Sequence, residues 1–145
     1  MTHLAHAIEV ATEAHEGQTD KTGLPYVEHC RRVAKAVDAL DEKIVAWLHD
    51  VVEKGDGWSL ERLREVGFSP AIVSAVDALT KREGEEDGAF VRRAASNPIA
   101  RPVKLADLAD NRRQAAVMGM SPVKYDEGLT ILAKEFCEGK NDGGS

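Results

Sequence analysis

Ile44-Val45-Ala46-Trp47-Leu48-His49-Asp50-Val51-Val52-Glu53 is the stretch on which the reading of this chain turns. Ile44, Leu48, Val51 and Val52 fall at i, i+4, i+7 and i+8, so the spacing predicts one amphipathic helix with an apolar stripe facing a core. His49 and Asp50 stand beside that stripe. A carboxylate half withdrawn from water needs a partner, and a metal ion is one that an adjacent imidazole would share. The dipeptide alone is a weak signal. With five His and eleven Asp in 145 residues, a shuffled chain holds a His-Asp pair in about a third of cases.

The same helical periodicity recurs on both sides. Thr2 can cap a first helix that runs to about His15 with Leu4, Ile8 and Ala11 on one face. Gly17 ends it, and Gln18 to Tyr26, containing Gly23 and Pro25, reads as a polar loop bearing Lys21. A second helix is expected from Val27 to about Leu40, with Val33, Ala34, Val37 and Leu40 on its apolar face and His29 near its start. Asp41 then caps the opening helix. Lys54 to Trp58 reads as a loop, Ser59 caps a short helix ending near Gly67, and Ser69-Pro70 starts another carrying Ile72, Val73, Val76 and Leu79. Arg82 to Gly88 is a polar surface loop before a helix through Phe90 and Val91. Asn97-Pro98 is a capping signature, but Pro102 suggests that the regular helix begins only there and continues to about Met118. Pro122 opens a last helix with Leu129, Leu132, Ala133 and Phe136 on one face. No stretch alternates like a strand. The fold class is therefore all-α, a single helical domain over residues 2–138 with a flexible tail at 139–145.

Length and charge narrow the function. A chain of 145 residues can bury one real core and is too short for two ordinary domains. Its net charge of -6 argues against broad attraction to nucleic acid or an anionic membrane, so a phosphate-bearing ligand would be held by local lysines and arginines. There is no run of about 18 apolar residues and no charged-then-apolar leader, which leads to the expectation of a soluble, cytoplasmic protein. Cys30 and Cys137 lack metal-type spacing and read as ordinary thiols. Oligomeric state is left open.

Four side chains from three helices can be nominated as one metal site: His29, His49, Asp50 and Asp107. Imidazole nitrogen with carboxylate oxygen suits manganese, iron or zinc and leaves room for water ligands. Lys104, Asp107 and Asn111 stand at i, i+3 and i+7 and line one polar strip beside Leu105 and Leu108. A solvated helix side would show the same periodicity, so spacing alone leaves both readings open.

The blocks Ala14-His15-Glu16-Gly17-Gln18, Lys21-Thr22-Gly23-Leu24-Pro25-Tyr26-Val27-Glu28-His29, Leu48-His49-Asp50-Val51-Val52-Glu53, Leu79-Thr80-Lys81 and Val103-Lys104-Leu105-Ala106-Asp107-Leu108-Ala109-Asp110-Asn111, in that order, resemble the HD-domain phosphohydrolases. The likeness is to the hydrolase domain of Rel/SpoT proteins and the small alarmone hydrolases, and it covers roughly Ala5 to Phe136. It implies a helical bundle with one divalent ion, typically manganese, at His29, His49, Asp50 and Asp107. It also implies hydrolysis of guanosine tetra- or pentaphosphate at the 3′-phosphate, releasing pyrophosphate. Glu53 and Asn111 are the matched candidates for catalysis. Lys21, Lys54, Lys104 and Arg112 are the candidates for phosphate contact, whereas Arg31, Arg32, Arg92 and Arg93 read as surface charge.

The chain departs from that pattern in three places. Where these hydrolases carry Glu-Asp it has Glu53-Lys54, where they often have Arg-Lys it has Asp20-Lys21, and Cys30 replaces a common proline. Glu53, four residues after His49 on a continuous helix, could still accept a proton from the attacking water. An ammonium at Lys54 would be repelled by the ion unless it met a substrate phosphate or Asp50. Three functions are consistent with these residues: an alarmone hydrolase, a divergent HD phosphatase with another nucleotide substrate, and a non-catalytic nucleotide-binding protein.

Overall fold

The computed structural model describes residues 2–143, with side chains described to position 135. The helices are α1 (His3–Ala14), α2 (Tyr26–Lys35), α3 (Leu40–Leu48), α4 (Val51–Lys54), α5 (Leu60–Glu65), α6 (Pro70–Ala78), α7 (Asp87–Ala95), α8 (Ala100–Val117) and α9 (Val123–Gly143). Among the described residues there is no strand, only an isolated bridge between Thr19 and Pro25 that pinches the loop before α2. The all-α expectation holds. Among the described residues no helix is long and apolar enough to cross a membrane.

α3 is the hub of the bundle. Ile44, Val45, Ala46, Trp47 and Leu48 are all buried, and a helix apolar around its whole girth must be enclosed by its neighbours. α1, α2, α6 and α8 enclose it. Each fully buried aliphatic side chain contributes about 1.5–3 kcal/mol, so this stretch anchors the core. A second, smaller cluster of Val91, Ala95, Leu108 and Leu132 joins α7, α8 and α9. There Gly128 lets α9 approach α8 so closely that a Cβ would lie 2.9 Å from Leu108.

The opening stretch is not one helix. α3 ends at Leu48, and the chain turns through His49 (φ −60, ψ −29) and Asp50 (φ −107, ψ 2) before α4 begins. The ring of His49 takes the Ala46 carbonyl at 2.6 Å, a backbone acceptor that a continuing helix would use. The break has a consequence for chemistry. Neighbouring residues of a regular helix do not face each other, yet here His49 Nε2 and Asp50 Oδ2 come to 3.0 Å.

Several boundaries also move. α2 stops at Lys35 because the Lys43 ammonium donates to the carbonyls of Ala34 (3.0 Å) and Val37 (2.7 Å), capping the negative end of the helix. Leu40 is accordingly exposed. The cap of α3 is Ala39, whose N–H donates to Glu42, and Asp41 lies inside the first turn. α8 begins before Pro102 because Asn97 Oδ1 accepts the N–H groups of Ile99 and Ala100, while proline in the first turn forfeits no helical bond. On α1 the buried line is Ala7, Val10, Ala11 and Ala14, with Leu4 and Ile8 at its margin. On α9 Ala133 is exposed and Gly128 takes its expected place on the buried face. Ser59 and Ser69 cap α5 and α6 as expected. The expectations for Phe136 and Cys137 concern side chains outside the described set, whereas of the tail expected from Gly139 the first part, to Gly143, is the end of α9 and only residues 144–145 lie outside that set.

Gly55 returns the chain from α4 against α1. A Cβ there would lie 2.5 Å from the Val51 carbonyl oxygen and 2.8 Å from the Ala14 Cβ. Gly55→Ala is expected to destabilise the fold by about 1–3 kcal/mol in chemical denaturation, because neither neighbour is a flexible side-chain end. Wild-type stability in that variant would refute the close packing of α1 and α4.

Candidate metal centre

His29 on α2, His49 and Asp50 at the α3–α4 break, and Asp107 on α8 converge with one ligand atom each, all within 4.8 Å of one another, and all four residues are buried. Asp107 Oδ1 lies 2.9 Å from His29 Nε2 and 3.2 Å from His49 Nε2. Both imidazoles are fixed from behind: the Nδ1–H of His29 donates to Asp110 Oδ2 at 2.7 Å, and that of His49 donates to the Ala46 carbonyl. The Nε2 atoms of both rings then face carboxylate oxygens across positions that a ring proton or a metal ion can fill, and a histidine held from behind at Nδ1 is the arrangement by which proteins orient histidine toward a metal. Burial alone would lower both imidazole pKa values, but the neighbouring carboxylates hold them raised, another sign that the cluster favours positive charge at its centre. The four residues therefore fit a divalent ion.

Both carboxylates also receive donors from other side chains. Tyr26 donates to Asp50 Oδ2 at 2.5 Å, and burial and Asp50 push that phenol far above its ordinary range, so it remains a donor. Lys104 is buried on α8, donates to Asp107 Oδ2 at 3.2 Å and lies 4.3 Å from the centre of the Phe90 ring. Asn111 donates to Asp107 Oδ1 at 3.0 Å and accepts from Lys21 Nζ at 2.6 Å. The polar strip of α8 thus faces the centre and not solvent.

The centre opens into a cavity of about 400 Å³ lined by Lys21, Lys54, Lys81, Lys104 and Lys124, with Leu79, Val91, Leu108 and Ile131 on its apolar side. Glu53 is on its wall and accepts the backbone N–H of Lys81 at 3.2 Å. Lys54 also lines it, but its ammonium sits 5.1 Å from the centre of the Tyr26 ring and makes no ion pair with Asp50. Arg112 is not brought to the cavity; it pairs with Asp126 at the surface.

Some functional contacts were not anticipated. Arg32, expected as surface charge, grips Asp20 and Asp110 at once. Asp20, noted only as a lost basic residue, is buried and organises the loop by accepting from Thr22 and Leu24. Asp110 and Gln114 stand at i+3 and i+7 from Asp107 and were legible by the same spacing that singled out Asn111. Arg93 is likewise no surface charge: it bonds Glu85 and the carbonyls of Asp77 and Thr80, fixing the segment that presents the Lys81 N–H to Glu53. His15 meets its expected role, donating to Gln18 Oε1 at 2.8 Å, while Gln18 donates to the Lys54 carbonyl at 2.7 Å. Cys30 is fully buried, and burial pushes its thiol up to about 12.

A family model for the HD domain matches residues 7–117. The chain belongs to the HD-domain family. Among individual proteins, it is 33% identical over 120 residues to a probable GTP pyrophosphokinase of Mycobacterium leprae (strain TN), covering 74% of this chain and 15% of that protein. The chain thus spans a small part of that relative's length. A solved structure of a metazoan ortholog of SpoT, described as hydrolysing ppGpp and playing a role in starvation responses, superposes with a TM-score of 0.77 at 24% identity, over 93% of this chain and 85% of that one. That likeness shows the fold.

Proposed function

We propose that this chain hydrolyses a nucleotide carrying a 3′-diphosphate, with guanosine 3′,5′-bis(diphosphate) its substrate and pyrophosphate the product. The observation that carries the reading is the juxtaposition of a four-residue His/Asp centre with a cavity lined by five lysines and six carboxylates, Asp50 and Asp107 of the centre among them. A divalent ion at the centre would offset those two carboxylates and leave the lysines to receive phosphate.

His29, His49, Asp50 and Asp107 would hold the ion, for which manganese is the proposed identity. When bound, it supplies a water of lowered pKa and neutralises charge on the phosphoryl oxygens. Glu53 accepts the proton of the attacking water from its place on the cavity wall. Asn111 keeps Asp107 oriented and Lys21 at the cavity. Lys21, Lys54 and Lys104 receive phosphate charge, and no such role is retained for Arg112, which Asp126 holds outside. The Lys54 ammonium over Tyr26 can swing to a phosphate without breaking an ion pair.

Pyrophosphate release from guanosine 3′,5′-bis(diphosphate) by purified protein supplied with Mn2+ is the direct test. Lys54→Asp is expected to raise KM about tenfold or more by removing a charge-assisted phosphate contact, with Mn2+ affinity unchanged. A gain of alarmone hydrolysis in that variant would instead favour the second reading, a phosphohydrolase of another nucleotide, which the Glu53-Lys54 departure supports.

A further inference from the structure

We infer that Arg32 is a positioning residue for the metal centre, coupling the loop of residues 18–26 to His29 through Asp110. The inference rests on His29 being a metal ligand.

The carboxylate behind His29 is itself held. Arg32 Nε donates to Asp110 Oδ1 at 2.8 Å and Arg32 Nη2 to Asp110 Oδ2 at 3.1 Å, a forked grip that fixes the plane of the carboxylate. Held by this fork and by Gln114 Nε2, the Asp110 carboxylate sits 2.7 Å from His29 Nδ1. A proton kept on Nδ1 by that carboxylate leaves Nε2 to present a lone pair to the ion.

The same guanidinium reaches the loop. Arg32 Nη2 donates to Asp20 Oδ2 at 2.8 Å, and the other Asp20 oxygen takes the N–H groups of Thr22 and Leu24. The Asp20 side chain is 1% exposed, and Arg32 is the one cation paired with it among the described residues. A second strand of contacts runs in parallel: the Lys21 N–H donates to Gln114 Oε1 at 3.0 Å, and Gln114 Nε2 donates to Asp110 Oδ2 at 2.8 Å. The loop that carries Lys21 to the cavity is thus tied twice to the carboxylate that aims His29. Asp20 stands where Rel/SpoT-like sequences often have a basic residue, and Arg32 supplies its counter-charge. Movement of the loop and orientation of the ligand are mechanically linked.

Calorimetric titration of the full chain with Mn2+ tests this, alongside hydrogen exchange at Thr22 and Leu24. Arg32→Met is expected to bind Mn2+ about tenfold or more weakly, the usual cost of losing support behind a ligand. Arg32→Lys should fall between the two, since a single ammonium cannot make the forked contact. In the wild type Mn2+ should slow exchange at both amides; in Arg32→Met that response should vanish. Asp20→Asn should weaken Mn2+ about threefold and add nothing on top of Arg32→Met, because both cut the same connection. Wild-type affinity or a retained exchange response in Arg32→Met overturns the proposal. If that variant fails to fold, Asp20→Asn decides, and an unchanged affinity there overturns it. His29→Ala is the control: unchanged Mn2+ binding in it would overturn the metal reading itself and not the role of Arg32.

Discussion

His49→Ala protein supplied with Mn2+ is expected to lose pyrophosphate release by more than about 1,000-fold. Metal activation of water and phosphoryl oxygen supplies several kcal/mol of transition-state stabilisation, and about 4 kcal/mol corresponds to that factor. His49 lies 3.0 Å from Asp50 and 3.2 Å from Asp107, so its removal takes away one of four ligands and leaves two buried carboxylates without the group between them. It also frees the Ala46 carbonyl at the break between α3 and α4. Metal-free protein must therefore be compared by circular dichroism and denaturation, to separate lost ligation from lost fold. Calorimetry should show Mn2+ binding abolished or reduced by orders of magnitude. A folded His49→Ala variant that kept turnover within about tenfold of wild type would remove the metal from the mechanism.

The second large effect is expected at Glu53. Glu53→Gln should lower kcat by about 100-fold or more, the usual contribution of a positioned general base, and leave Mn2+ affinity where it was. Glutamine retains an oxygen that can accept the Lys81 N–H, so the link between α4 and the segment after α6 is preserved and only the proton-accepting charge is lost. The other carboxylate oxygen has no hydrogen-bond partner among the described residues and is available to water in the cavity. A variant with unchanged kcat would assign proton acceptance to another group. A fall in metal affinity would mean that Glu53 belongs to the ion's surroundings and not to the chemistry.

Much of the site was legible before the fold. His29, His49, Asp50 and Asp107 were nominated from residue type and helical spacing, and they meet in space. The polar strip of Lys104, Asp107 and Asn111 was undecided between solvent and site. Burial of Lys104 and Asp107 decides it, since a buried ammonium and carboxylate persist only when paired. Arg32 shows the opposite case. It was expected as surface charge because arginines are mostly exposed, and the partner that defines it, Asp110, is 78 positions away. Arg112 was expected at a phosphate, yet it is neutralised by Asp126 from the next helix.

The helices and most of their caps follow from the sequence itself. Each depends on groups within about four residues of one another, the range over which backbone hydrogen bonds and side-chain spacing act. The candidate ligands were named by residue type, and only the fold brings His29 to Asp107, 78 positions away. Tertiary structure alone decided three matters: that the chain breaks at His49 so that two neighbouring ligands share one point, that Lys54 rests over Tyr26, and that Asp20, Arg32 and Asp110 form one connected set. Which charge meets which depends on burial and on distances between helices far apart in the chain, and no local pattern carries that information.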